Sequence, residues 1–177
     1  MTPVSRYAAS SRWLHWITVL LLLAIIPLGI WIAFFEPADE NFKMRLYNLH
    51  ESLGVLVFVL VLVRVVNRHL NPPPPLPIEM PGWMRMAAHA NHIALYAMLL
   101  LMPLTGFLAT NAWGFPLSWF GVLPIPSPLG KNEEIAKALS FLHGCGAIAI
   151  GVLIVAHLAG VVHHVMIRRD GVLRRML

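Results

Sequence analysis

Nine histidines stand in a chain of 177 residues that is 58% hydrophobic and only 12% charged. An ionisable side chain inside an apolar span is costly and marks a functional position by default. His143 and His157 are fourteen residues apart. On a helix, that spacing leaves them about 40° apart around the circumference and about 21 Å apart along the axis. One helical face then offers an imidazole near each surface of a membrane. Neutral imidazole is a common metal ligand and an axial ligand of haem iron. One haem does not bridge that distance; two stacked haems do. Each iron needs a second ligand from another helix, and depth selects the pairs. His15, at the start of the first apolar run, is level with His157. His50, at the start of the second, is level with His143. Four histidines bonded to neighbouring helices would account for any one of these positions, but four at two matched depths favour haem.

The other histidines fit less well as ligands. His163 lies about 30 Å from His143 on the opposite face, and His164 about 32 Å away at the hydrocarbon edge. His69 is expected at the interface. His89 and His92 share one face with Tyr96 nearby. They are placed to hydrogen-bond a quinone carbonyl, or to serve as a polar helix-start cluster bonded to propionates or loop carbonyls. Arg64, fourteen residues after His50, is placed either to bind a haem propionate or to snorkel to the surface. Gly54, Gly144 and Gly146 flank the ligand positions, where glycine lets a helix or a flat ring approach.

The elements that must position these residues are read from hydropathy. The mean hydropathy is +0.72, and charged residues are half as frequent as the roughly 25% of a soluble domain. Four long apolar runs predict four transmembrane helices over residues 13–35, 46–69, 84–109 and 135–168. The first run is too long for the apolar core of a signal peptide and reads as a retained helix. Glu36, Pro37, Asp39 and Glu40 end the first helix, a proline-rich linker running to Pro81 follows the second, and Pro103 and Gly106 predict a kink in the third. Residues 110–133 read as a proline-rich, aromatic loop whose rings suit the lipid–water interface. The expected architecture is an all-α integral membrane four-helix bundle enclosing two b-type haems, a single domain over residues 1–177. Cys145 is the one cysteine. There is neither an intrachain disulfide nor a Cys-x-x-Cys-His attachment site, so haem must be held non-covalently.

The net charge is +5 and the pI about 10.0. In this setting that reflects basic cytoplasmic loops rather than nucleic-acid binding, since no basic stretch interleaves with aromatics. Nine Lys and Arg residues fall on the side of the termini and the second linker, and four on the other. The positive-inside rule therefore puts both termini and the second linker on the cytoplasmic side.

The ordered set Arg12-Trp13-Leu14-His15-Trp16, His50-x3-Gly54-x9-Arg64, His89-x2-His92-x3-Tyr96-x6-Pro103-x2-Gly106 and His143-x13-His157-x5-His163-His164 resembles the bacterial cytochrome b561 family over nearly the whole chain. The resemblance implies a dihaem membrane cytochrome b with His15, His50, His143 and His157 as iron ligands. It also implies a ubiquinone region near His89 and His92 with His163 or His164. The best-known type of the family oxidises periplasmic superoxide to O2 and reduces ubiquinone. Related cytochrome b subunits instead pass electrons between a periplasmic partner enzyme and the quinone pool, and the loop over 110–133 is suited to dock such a partner. Superoxide is an anion, and a basic mouth would steer it. The periplasmic side carries four basic and six acidic residues, so steering falls to a local cluster of Lys43, Arg45 and Lys137 near the upper haem. A haem-free transporter with a histidine proton relay is the remaining alternative.

Overall fold

The computed structural model describes residues 6–35, 37–76 and 80–177. Four long helices form: α1 (Ala9–Phe34), α2 (Glu40–Leu70), α3 (Gly82–Trp113) and α4 (Glu133–Val162). Each is long and apolar enough to cross a membrane, and together they make an all-α membrane bundle.

The helix ends follow local chemistry. α2 begins six residues earlier than hydropathy predicts because Asp39 caps it, accepting from the Asn41 and Phe42 amides at 2.8 and 3.2 Å. Asn132 caps α4 in the same way, accepting from Glu134 and Ile135. α3 runs on to Trp113 and stops at Gly114, whose left-handed φ of 94° suits a residue with no Cβ. Glu36, expected to help end the first helix, lies outside the described residues, as does the linker segment 77–79.

α1 packs on α2, α2 on α3, and α3 most extensively on α4. The Met102 and Met98 side chains of α3 press onto Gly146 of α4, where a Cβ would collide with the Met102 sulfur. A small buried core joins Val57 and Val61 of α2, Leu99 of α3 and Ile150 of α4, with Leu21 and Leu22 of α1 against it. Most other large apolar side chains point outward, Leu20, Val59, Ile148 and Val152 among them, as expected where lipid is the solvent.

One end of the bundle gathers Tyr7 and the start of α1, the C-terminal residues 175–177 and the linker prolines Pro74 and Pro75. The Tyr7 amide donates to the Arg175 carbonyl at 3.0 Å. The Trp16 indole donates to the Met176 carbonyl at 3.0 Å, and Arg12 donates to the Leu177 carbonyl. Arg175 is buried and donates to the carbonyls of Pro74 and Pro75. This is the terminus end; the other is the distal end. The predicted fourth helix does reach Arg168, but its last six residues, His163–Arg168, form a π-helical turn. That turn adds residues per revolution and ends the 100° spacing from which His163 and His164 were placed. At the distal end a two-stranded hairpin, β1 (Ser118–Trp119) and β2 (Leu123–Pro124), replaces the predicted irregular loop.

Candidate functional site

The four histidines meet as two ring pairs. His50 of α2 and His143 of α4 have ring centroids 6.3 Å apart at the distal end. His15 of α1 and His157 of α4 have centroids 6.4 Å apart at the terminus end. All four are half-buried. Two imidazoles sharing one metal at about 2.0 Å have ring centroids roughly 6.4 Å apart. Both pairs therefore have the spacing a bis-imidazole iron requires. α4 packs mainly on α3, and its backbone approaches α1 and α2 at few points, so the paired rings reach across helices that are not closely packed on each other.

The distal pair is the better oriented. Pro103 breaks the hydrogen-bond ladder of α3, and near it His143 Nδ1 donates to the Met102 carbonyl at 3.1 Å. The Thr105 hydroxyl lies 3.2 Å from the same nitrogen while bonding the carbonyls of Leu101 and Met102. With its proton fixed on Nδ1, His143 presents a free Nε2 lone pair, the arrangement a metal-ligating histidine needs. Gly106 lies under this ring: a Cβ there would come within 3.0 Å of His143 Cε1. Gly29 of α1 does the same for His50, where a Cβ would lie 2.8 Å from Cε1. His50 Nδ1 is buried near the Ile25 carbonyl without a well-formed hydrogen bond.

Gly29 is a ring-contacting position the sequence reading missed, and Gly106, expected only to help kink α3, is another. Of those it named, Gly144 faces open space, Gly54 meets Ile25 and Pro103 at ordinary contact, and Gly146 receives methionine. The available signal was position: Gly29 follows His15 by fourteen residues, on its face and at the level of His50.

At the terminus end Arg64 reaches His15 instead of standing alone, with Nη2 3.3 Å from Nδ1. An arginine only donates, so His15 Nδ1 accepts here and its proton sits on Nε2. Iron ligation through Nε2 requires Arg64 to release this nitrogen. Arg64 and Arg68 also lie over the Tyr96 ring, at 5.2 and 5.8 Å. His92 brings its ring to 5.3 Å from that of His157 and donates Nδ1–H to the Ala88 carbonyl at 2.7 Å. His89, three residues before His92 on α3, is exposed. His163 contacts the His164 ring at 6.0 Å.

His164 is buried and engaged elsewhere: it donates to Asp170 Oδ2 at 2.6 Å, and Arg168 Nε reaches the same oxygen at 3.2 Å. Burial pushes the Asp170 carboxyl up, but hydrogen bonds from His164, Val172 and Arg168 and the His164 charge outweigh it and hold the carboxyl below its usual value. Each of the three residues singled out for anion steering has a neighbour on its own helix. Lys43 lies 3.8 Å from Glu40 and Lys137 lies 3.9 Å from Glu133, while Arg45 stacks over Phe42 at 5.9 Å.

A four-helix membrane bundle with two histidine pairs sharing one helix defines a class, the membrane cytochromes b. The family described as prokaryotic cytochrome b561 matches residues 6–177, and the chain belongs to it. It is 34% identical to "Cytochrome b561 homolog 2" of Escherichia coli (strain K12), over 99% of this chain and 93% of that protein. It is 29% identical to "Cytochrome b561 homolog 1" of the same organism, over 98% of each chain. A protein of Yersinia pestis named "Probable superoxide oxidase CybB" is 27% identical over 97% of this chain and 96% of its own length.

Proposed function

We propose that this protein is a dihaem cytochrome b that carries electrons across a bacterial inner membrane, between a periplasmic redox partner at the distal end and the quinone pool at the terminus end. The observation that carries the reading is the pair of ring separations, 6.3 and 6.4 Å, at two levels of one helix. Haem b bound at each pair would supply a one-electron couple near each membrane surface. His50 and His143 hold the distal group, and the Met102 carbonyl orients His143. His15 and His157 hold the other, with Arg64 turning to a propionate. His92, beside His157, keeps Nδ1–H on the Ala88 carbonyl, so it donates to a ubiquinone carbonyl only after taking up a second proton at Nε2, which it then passes on, with Arg68 over the nearby Tyr96 ring. The excess of Lys and Arg at the terminus end supports a cytoplasmic location for both termini.

Purified protein should show a dithionite-reduced α-band near 560 nm, the wavelength the family name implies, and two haems per chain. His143→Ala should lose the distal haem and leave the other at least partly occupied. A protein without that band, or His143→Ala retaining both haems, overturns the reading.

Superoxide as the donor is a second reading, favoured by the name of the Yersinia pestis relative. The acidic partners of Lys43 and Lys137 weaken it, because they cancel the charge that would steer an anion. Rapid haem reduction by superoxide generated beside the oxidised protein would establish it. Co-purification of a stoichiometric periplasmic protein, without that reaction, would establish the partner reading instead.

A further inference from the structure

Between α3 and α4, residues Gly114 to Gly130 contain no charged side chain at all, although a loop in water ordinarily carries several. The path of this segment is as unusual as its composition. α3 rises seven residues beyond Gly106, the glycine under His143, before stopping at Gly114. The chain then turns back toward the bundle. Asn48 Nδ2 donates to the Ser118 carbonyl at 2.6 Å. The Trp119 indole donates to the Ser52 carbonyl at 3.2 Å, and the Phe120 amide to the fully buried Ser52 hydroxyl at 2.8 Å. The segment climbs again to the α4 cap, where the Asn132 amide meets the Ala112 carbonyl at 2.8 Å.

Depth follows from helix rise. Gly29 packs on His50 and lies five residues before the end of α1 at Phe34. His50 is thus about 8 Å inside the apolar end of α1, and Ser52, further along α2, about 10 Å inside. The half-thickness of the hydrocarbon core is about 15 Å, so the Phe120–Gly121 turn sits within one leaflet. Non-helical backbone at that depth must be satisfied by protein. Several of its amides are: Gly121 bonds the Ser118 carbonyl, Val122 that of Trp119 and Ile125 that of Leu117. Pro116, Pro124, Pro126 and Pro128 have no amide hydrogen to satisfy. The outward side chains are apolar, with Val122 84% and Leu123 56% exposed.

We propose that residues 114–130 form a re-entrant hairpin whose turn residue Val122, with Leu123 beside it on β2, lies among acyl chains of the distal leaflet. The segment is then a lipid-embedded cover on the flank of α2 beside His50, and its tip is closed to a water-borne partner.

The test uses full-length protein with Cys145→Ser, spin-labelled at Val122→Cys and reconstituted in phosphatidylcholine vesicles. A label at Ile30→Cys, on the lipid-facing side of α1, is the hydrocarbon reference, and one at Glu134→Cys is the aqueous reference. At Val122 the oxygen-to-nickel accessibility ratio should match Ile30, with nickel-chelate collisions at least about tenfold rarer than at Glu134. Leu123→Cys repeats the measurement should Val122→Cys fail to fold, and must give the same result. Nickel accessibility equal to that at Glu134 overturns the proposal: the tip would then stand in water, where a protein could dock on it.

Discussion

Gly29→Ala tests whether the distal ring pair is set by the helix surface beneath it. Carbon atoms in ordinary contact stand about 3.5–4.0 Å apart, while a Cβ at Gly29 would lie 2.8 Å from His50 Cε1. The ring must retreat by about 0.7–1.2 Å, which is large against a metal–nitrogen bond of about 2.0 Å. Overpacking of this kind costs about 1–3 kcal/mol. If the cost falls on ligand placement, the distal haem is held roughly 5- to 150-fold more weakly. Gly106→Ala, with a closest approach of 3.0 Å to His143, should do the same to a lesser degree. Gly54→Ala meets atoms only at 3.9 and 4.0 Å, and Gly144→Ala meets none within 4 Å, so both should keep full haem content. The assay is haem per chain by pyridine haemochrome, with low-spin ferric EPR to tell the two haems apart. The terminus-end signal should persist throughout. Equal haem content in all four variants would refute the argument, as would loss of the terminus-end signal in Gly29→Ala.

Four further variants have expected outcomes. His157→Ala should lose the terminus-end haem, whereas His92→Ala should keep both haems and slow quinone reduction with a raised KM, followed by stopped-flow haem reoxidation with added quinone. Asp170→Asn should loosen the segment after the π turn and speed amide exchange there at neutral pH. The Asp170 carboxyl is depressed in the folded protein, so its contribution is complete above its unfolded value of about 3.9 and lost as pH falls through the lower folded value. The difference between wild type and Asp170→Asn should therefore vanish in strong acid. Asp39→Ala removes the acceptor of two amides and should destabilise the start of α2 by about 1 kcal/mol, visible as faster exchange at Asn41 and Phe42.

The bundle was legible because the solvent dictates it. A helix in lipid must be apolar over a fixed length, so four runs in the sequence become four helices, with the largest boundary shifts where Asp39 starts α2 early, where α3 runs on to Gly114 and where α1 begins four residues early at Ala9. The levels of the rings were legible too, because helix geometry is rigid between His143 and His157. Features that depend on neighbouring elements were not. The approach of Gly29 to His50 depends on the rotation of α1 against α2, and no pattern in α1 alone fixes that. The contact of His92 with His157, and of Arg64 with His15, is set by helix packing in the same way. The π turn at His163 has no local signal comparable to a proline. Strands of two residues show no alternation, and the hairpin depends on Ser52, some 66 positions upstream of its first strand.

α4 supplies one imidazole to each pair, which makes the thirteen residues between His143 and His157 a ruler. Inserting a single residue would turn one ring by about 100° relative to the other and dismantle one pair while sparing its counterpart. Adding seven residues would restore the angle to within about 20° but push the pairs about 10 Å further apart, beyond where His15 and His50 stand. The length of this stretch is therefore closed to insertion or deletion, a constraint that comes from counting residues and is separate from the packing that fixes Gly146 and Ile150 within it.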